Sequence, residues 1–359
     1  MKPSILYLLT SLETTGGTVS KIKSTLKYTK YKVYIGANYD LNNSDLVEEW
    51  KKDNVIQVTR IPVRTISNIF KAVLILNKIV KKEKIQIIHT FFPNEMYVAF
   101  FLKLLNPKLK IIRSFEGNVR RNWVIRTISR IVLPYFDKII FISKYVKDFY
   151  TGITKKCRDK EIIDNAGNHI CEYKIRDKHT ICNLVSVASI NEMKNVFMYA
   201  EIGKKLKDNG FKFNLKIVGN GALYNQLKER IVNYNIKDCV TLEGKQADPK
   251  PYYEEADIYI HPADKEGFGI VIPEAMSAGL PVIVSDKGGL PEIVNNMEDG
   301  IIVDAYNAEE WADAIIRLHN DRELYNKLAK NGYNKFLTRF TPEIYAKKLD
   351  ITYDKLLSK

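Results

Sequence analysis

The sequence predicts an α/β protein made of two successive doubly wound domains, each on its own parallel sheet. Three observations carry this. Short apolar runs alternate with longer helical patterns throughout, which is the rhythm of parallel βαβ units. The rhythm restarts beyond a polar joint near residues 165–173. The length, 359 residues, exceeds one ordinary domain and fills two of about 150–200 residues each.

In chain order, strands are predicted at 5–9, 32–35, 55–58, 85–89, 110–113 and 138–142, with helical patterns between them such as 68–82 and 94–105. The second half repeats the scheme, with strands at 182–188, 213–218, 239–242, 258–260, 281–284 and 300–303. The division is therefore a basic first domain over 1–168, a second domain over 169–340 and a final helix over 341–359 that crosses back onto the first. Ligands of such folds bind at the carboxyl ends of the strands, and the residues singled out below fall at predicted strand ends.

Composition narrows the function. With 45% hydrophobic residues the chain can bury two cores. No apolar run approaches the roughly 18–20 residues of a membrane span, and the opening apolar run reads as a buried first strand rather than a signal peptide. The cysteines Cys157, Cys171, Cys182 and Cys239 show no metal-binding or disulfide spacing, which points to a reduced, cytoplasmic setting. The net charge is +14, yet residues 1–167 hold 30 basic and 14 acidic residues while the remainder holds 26 and 28. The positive excess therefore sits in the first half, where it reads either as a surface that meets an anionic partner or as a solvated basic face.

The chemistry is most legible in the second half. The strand at 258–260 runs into His261-Pro262 and a loop carrying Glu266-Gly267-Phe268-Gly269-Ile270. A helix is predicted from about Ile272, with Pro273 in its first turn and Gly279 capping its end. Glu274 then sits in the first turn beside open backbone N–H groups. Such N–H groups suit a diphosphate, and a carboxylate there can accept two ribose hydroxyls. Taken singly, Glu274 reads as a helix cap and Glu266 as a loop acid. Around them stand the runs 275–282 (AMSAGLPV) and 288–294 (GGLPEIV), Asp299-Gly300, the segment 215–221 (LKIVGNG) and the segment 253–257 (YEEAD).

These residues, in this order, resemble the donor domain of the retaining GT-B glycosyltransferases of family 4, also called glycosyl transferases group 1. The resemblance is strong over about 180–340 and weak before it. It implies a GT-B fold, two Rossmann-like domains facing across a cleft. It further implies that Glu274 holds the ribose, that Glu266 contacts the transferred sugar, and that Gly267, Phe268, Gly269 and Ile270 meet sugar and phosphates through their backbone. Gly219, Gly244 and Lys245 would line the base. Lys194 matches the family lysine on the diphosphate, where a cation offsets the charge that builds on the leaving nucleotide. Ser189 is a departure, because the family commonly carries an arginine there.

In the first half, Gly16-Gly17 follows the first strand and permits close backbone approach to a sugar or phosphate. At this position it resembles the family's glycine-rich loop. His89 ends the fourth strand; many members place a histidine near the reacting sugar in this loop, often second in a His-x-His pair, but Phe91 fills that second position. His89 thus reads either as catalytic or as a strand-end structural histidine. Glu95, Arg113 and Glu116 are the acceptor-side candidates. The segment 119–135 sets Arg120, Arg121, Arg126 and Arg130 among Trp123, Ile125, Ile128, Ile131 and Leu133. It suits an anionic bilayer surface or a lipid-linked diphosphate, and equally a core helix with a solvated cationic face. Lys71, Lys78, Lys81, Lys82 and Lys84 form a second basic cluster.

The expected activity is transfer of a hexose from a nucleoside-diphosphate sugar, with UDP the expected nucleotide, to a hydroxyl of a glycan or lipid-linked precursor in cell-surface polysaccharide assembly. No cofactor is expected beyond the donor substrate, and no metal: the chain has no Asp-x-Asp to bridge a diphosphate through one. The leaving phosphate itself serves as base where no protein base is placed. The setting is the inner face of the cell membrane. Nucleic acid is disfavoured for want of a binding motif. The alternatives are a non-catalytic scaffold of the same fold, favoured by Ser189 and Phe91, and a nucleotide-sugar epimerase.

Overall fold

The computed structural model describes residues 3–12, 17–38, 44–52, 55–61, 66–118 and 123–358. They form two compact units, one of residues 1–165 with 342–359 and the other of residues 166–341. Each unit is a doubly wound α/β layer structure on a parallel sheet.

The first sheet has seven strands: β1 (Ser4–Leu9), β2 (Lys32–Ala37), β3 (Val55–Arg60), β4 (Ile85–Thr90), β5 (Lys110–Phe115), β6 (Lys138–Phe141) and β7 (Lys160–Ile162). Their order is β3-β2-β1-β4-β5-β6-β7. The second has six: β8 (Cys182–Val187), β9 (Phe213–Val218), β10 (Val240–Gly244), β11 (Ile258–His261), β12 (Val282–Ser285) and β13 (Ile301–Val303). Their order is β10-β9-β8-β11-β12-β13. Every pairing is parallel. The central strands are covered on both faces, so they read as near-continuous Val, Ile and Leu runs rather than alternating ones.

Strand order reverses between β1 and β4 in the first sheet and between β8 and β11 in the second. At such a switch point the flanking connections leave toward opposite faces, opening a crevice beyond the carboxyl ends of the two strands. In both units a polar contact spans it. Thr10, after β1, donates to Glu95 Oε1, after β4, at 3.0 Å. Lys194, after β8, pairs with Glu266, after β11.

The terminal helix Pro342–Leu357 packs on the helix Gly17–Leu26 of the first unit. Polar contacts fix it there. Asp350 accepts from Thr29 Oγ1 at 2.6 Å and from the Lys30 N–H at 2.9 Å. Tyr353, fully buried, contacts Tyr7 Oη at 3.0 Å and His89 Nδ1 at 2.7 Å. A buried polar group that loses its partner forfeits its desolvation cost. Tyr353→Phe should therefore lower stability by about 1–3 kcal/mol, read as a fall in the denaturant midpoint with an unchanged slope.

Candidate active site

Glu266 lies in the loop after β11, and its side chain is only 12% exposed. Its Oε2 accepts from His261 Nε2 at 3.2 Å and from the Lys194 ammonium. Burial alone would push this carboxyl up; the Lys194 charge and the His261 hydrogen bond outweigh it and hold the group down at about 2. His261 is itself fully buried and held below the usual imidazole range, mainly by desolvation. It is therefore neutral near pH 7 and donates to Glu266 through Nε2–H, since a carboxylate only accepts.

The neighbouring backbone explains how Lys194 arrives. The short turn Glu192–Lys194 is capped by the Asn191 side chain, which accepts from the Met193 N–H. The Met193 carbonyl in turn accepts from the N–H groups of Asp264 and Lys265. The two loops of the switch point are thus stitched together, and the stitch delivers Lys194 to Glu266. Gly288 supports Glu266 from the other side. Its φ is +65°, and a Cβ there would lie 2.4 Å from the Glu266 carbonyl oxygen. Only glycine fits that approach. The next residue, Gly289, donates its N–H to the same carbonyl at 2.8 Å.

Glu274 has a different environment. It lies in the helix Val271–Ser277 and is 9% exposed. Its Oε1 accepts from Asn168 Nδ2 at 2.8 Å and the Asn168 N–H at 3.4 Å. Desolvation dominates over these bonds and raises the carboxyl to about 7. Tyr253, fully buried, lies close enough for each group to perturb the other, though its hydroxyl makes no well-formed hydrogen bond. Gly167 packs so tightly on this helix that a Cβ would meet Pro273 at 2.8 Å. These contacts of Gly167 and Asn168 belong to the second unit, which is why that unit begins at Ala166. Arg176 braces the far side. Its buried guanidinium donates to the carbonyls of Tyr253, Glu254, Ala256 and Ala278, tying the helix Lys250–Glu255 to the end of Val271–Ser277.

The open N–H groups expected around Glu274 are partly spent. The N–H of Ile272 donates to Gly269 and that of Glu274 to Ile270, because the chain turns helical one residue earlier than its pattern predicts. Phe268 is buried, with its ring edge-on to Phe340, so only its backbone can face a ligand. Gly269 takes φ +87° and Ile270 precedes the helix. Gly267 is buried beside them. Gly219, at φ +149°, has no room for a side chain: a Cβ would fall 1.8 Å from the Ala188 carbonyl oxygen. Its N–H donates to Gly244, while Lys245 is exposed. Ser189 is exposed and accepts from Asn191 Nδ2 at 2.9 Å.

In the first unit the predicted residues are buried in a polar network. His89 is fully buried with both ring nitrogens engaged, Nδ1 by Tyr353 and Nε2 by Ser114 Oγ at 2.7 Å, and Phe91 stacks on it at 4.2 Å. Of the two readings of His89, this arrangement favours the strand-end structural one, because both ring nitrogens are engaged by the protein itself. Glu95 is also fully buried, at Thr10. Arg113 is 4% exposed, with its guanidinium 4.9 Å from the Phe115 ring centroid. Glu116 accepts from Lys21 Nζ at 2.8 Å. Lys21 also donates to Asn165 Oδ1 and Tyr345 Oη, and was not singled out from sequence: a helical lysine gives no sign that it is buried. Gly17 opens the helix Gly17–Leu26; Gly16, Arg120 and Arg121 lie outside the described residues. Arg126 is exposed, and Arg130 donates to the Gly152 carbonyl at 3.2 Å.

The opposed glutamates make a stability test. Glu274 is raised above its unfolded value, so its contribution is complete below about pH 4.5 and is lost as pH climbs through about 7. Glu274→Gln removes that loss. The variant should exceed the parent by about 1–3 kcal/mol at pH 8 and match it near pH 4.5, as read from denaturation at both values.

Known proteins resemble the chain in architecture and, in part, in sequence. The HepE protein of Anabaena, solved in complex with UDP and glucose, superposes with a TM-score of 0.80 over 98% of this chain and 100% of that one, at 17% identity. An uncharacterized glycosyltransferase of Methanocaldococcus jannaschii is 27% identical over 333 residues, 87% of this chain and 88% of that protein. The UDP-Gal:α-D-GlcNAc-diphosphoundecaprenol α-1,3-galactosyltransferase of Escherichia coli is 26% identical over 312 residues, 80% of each. The family model described as glycosyl transferases group 1 matches residues 174–335, the span that carries Lys194, Glu266 and Glu274. Residues 174–335 thus resemble the glycosyl transferases group 1, and the fold of the chain is that of the GT-B glycosyltransferases.

Proposed function

We propose that the protein transfers a hexose from a UDP-linked sugar to a hydroxyl of a lipid-linked glycan in cell-surface polysaccharide assembly, with retention at the anomeric carbon. The observation that carries this reading is the part-buried Lys194–Glu266 pair backed by buried His261 at the switch point of the second unit, with the desolvated Glu274 eight residues on. A cation fixed beside a carboxylate is suited to a sugar diphosphate: the ammonium meets the phosphates and Glu266 accepts a sugar hydroxyl. Glu274 accepts from the ribose, and the leaving phosphate takes the acceptor's proton. In this reading Lys194 supplies the charge that a metal ion would otherwise provide, and the first unit binds the acceptor near Glu116. The relatives support the substrate classes, since one acts on a diphosphoundecaprenol-linked sugar and HepE was solved with UDP. Among the described residues no helix is long and apolar enough to cross a membrane. The exposed helix Trp123–Val132, with Arg126 and Arg130, then holds the protein at the cytoplasmic face of the membrane that carries the acceptor.

A second reading, a scaffold without activity, is favoured by Ser189, which puts a hydroxyl where relatives commonly carry a guanidinium. One assay separates the two. The purified chain, given UDP-sugars and a membrane extract, should release UDP only when the extract is present, and Lys194→Ala should lower the turnover by roughly a hundredfold or more. If no donor yields a nucleoside diphosphate and Glu274→Ala binds UDP as tightly as the parent, the transferase reading falls.

The pH dependence of UDP binding tests Glu274 directly. Ribose hydroxyls donate to the ionised carboxylate, so binding releases a proton and affinity climbs with pH across the value of about 7. Between pH 6 and 8 the gain should be about tenfold. Calorimetry should show it flatten in Glu274→Gln.

A further inference from the structure

The first unit carries a surface that the sequence divides among three separate helices. The helix Ile66–Lys82 exposes Phe70 (54%) and Leu74 (66%). The helix Pro93–Leu105 ends in two exposed leucines, Leu104 and Leu105. The helix Trp123–Val132 exposes Trp123 (77%) and Ile131 (62%), and the turn after it exposes Tyr135. Large apolar side chains open to water in such number mark an interaction site when they are contiguous.

Ring contacts connect two of them, Phe70 and Tyr135, across the helix between. Phe70 packs on Phe101 at 5.3 Å between centroids, Phe101 on Phe100 at 5.4 Å, and Phe100 on Tyr135 at 5.1 Å. This chain of four rings runs from the first helix across the second to the turn after the third, so the apolar surfaces of the three helices meet along it. Charge identifies what the face meets. The helices Ile66–Lys82 and Trp123–Val132 contain no acidic residue, and the one acid of Pro93–Leu105, Glu95, is fully buried. Lys71, Lys78, Arg126 and Arg130 are exposed. A second copy docked by two-fold symmetry would set these cations against their own images. An anionic bilayer offers the complement, with headgroups for the cations and an interfacial layer for the rings and leucines.

We infer that these three helices form a single bilayer-docking face, in which Phe70 and Leu74 enter the interface together with Trp123 and Ile131. This rests on the reading that the protein works at a membrane, and extends it from one basic helix to a surface that the aromatic chain holds in register. The double variant Phe70→Ser/Leu74→Ser is the discriminating one, because it leaves the helix Trp123–Val132 and the candidate active site intact.

Flotation of the full chain with phosphatidylcholine vesicles, with and without phosphatidylglycerol, reads the outcome. The parent should float with the anionic vesicles and release as salt is raised. The double variant should lose about tenfold or more in partitioning, while Val232→Ser, an exposed apolar change in the second unit, should float like the parent. Circular dichroism and the denaturant midpoint confirm that the variants are folded. If the parent floats and the double variant floats equally well, the three-helix face is overturned while the membrane reading survives. If the parent binds no vesicle, both fall. A parent that sediments as a dimer, and a double variant that sediments as a monomer, would assign the face to a second copy instead.

Discussion

Parallel strands impose the constraint on which this structure depends: every strand in a sheet delivers its carboxyl end to the same edge. Loops far apart in sequence are thereby gathered, and the reversal of strand order leaves a crevice that some pair of side chains must span or line. Lys194 and Glu266 are 72 residues apart and meet because β8 and β11 are neighbours. Thr10 and Glu95 meet for the same reason between β1 and β4. The two contacts differ in chemistry: a hydroxyl on a carboxylate in the first unit, a part-buried ion pair backed by a neutral imidazole in the second.

The two glutamates at 266 and 274 show how environment divides one residue type into two roles. Both are largely withdrawn from water, and desolvation is the largest influence on each. For Glu266 a cation and a ring N–H more than offset it, and the carboxylate stays ionised far into acid. Glu274 has only neutral donors from Asn168, and these do not recover the cost of burial. One loop and the helix that follows it thus carry a carboxylate held down at about 2 and, eight residues on, a carboxyl raised to about 7.

Much of this was legible in the sequence. The strand and helix rhythm and the two sheets followed from apolar periodicity, and the residues of the candidate site were singled out by ordered runs that resemble a family. The boundaries erred by a residue or two, as at Val271, where the helix starts one residue early and consumes N–H groups expected to be open. Residues acting through a distant partner were missed: His261 beneath Glu266, Asn168 on Glu274, Arg176 on four carbonyls, and Lys21 among Glu116, Asn165 and Tyr345. Their local patterns are ordinary, and only their partners give them meaning.

The sequence by itself determined the fold class, and its ordered motifs carried the family resemblance of the second half, because periodicity and glycine spacing are local properties that backbone sterics and burial translate directly into strands, turns and close approaches. Tertiary structure alone decided the state and use of the charged groups. Whether a glutamate is ionised, whether His89 has a nitrogen to spare, and whether exposed apolar residues on three helices form one face depend on desolvation and on neighbours brought together by folding. Glu266 and Glu274 share a motif; what separates them is the company each keeps at the end of its strand.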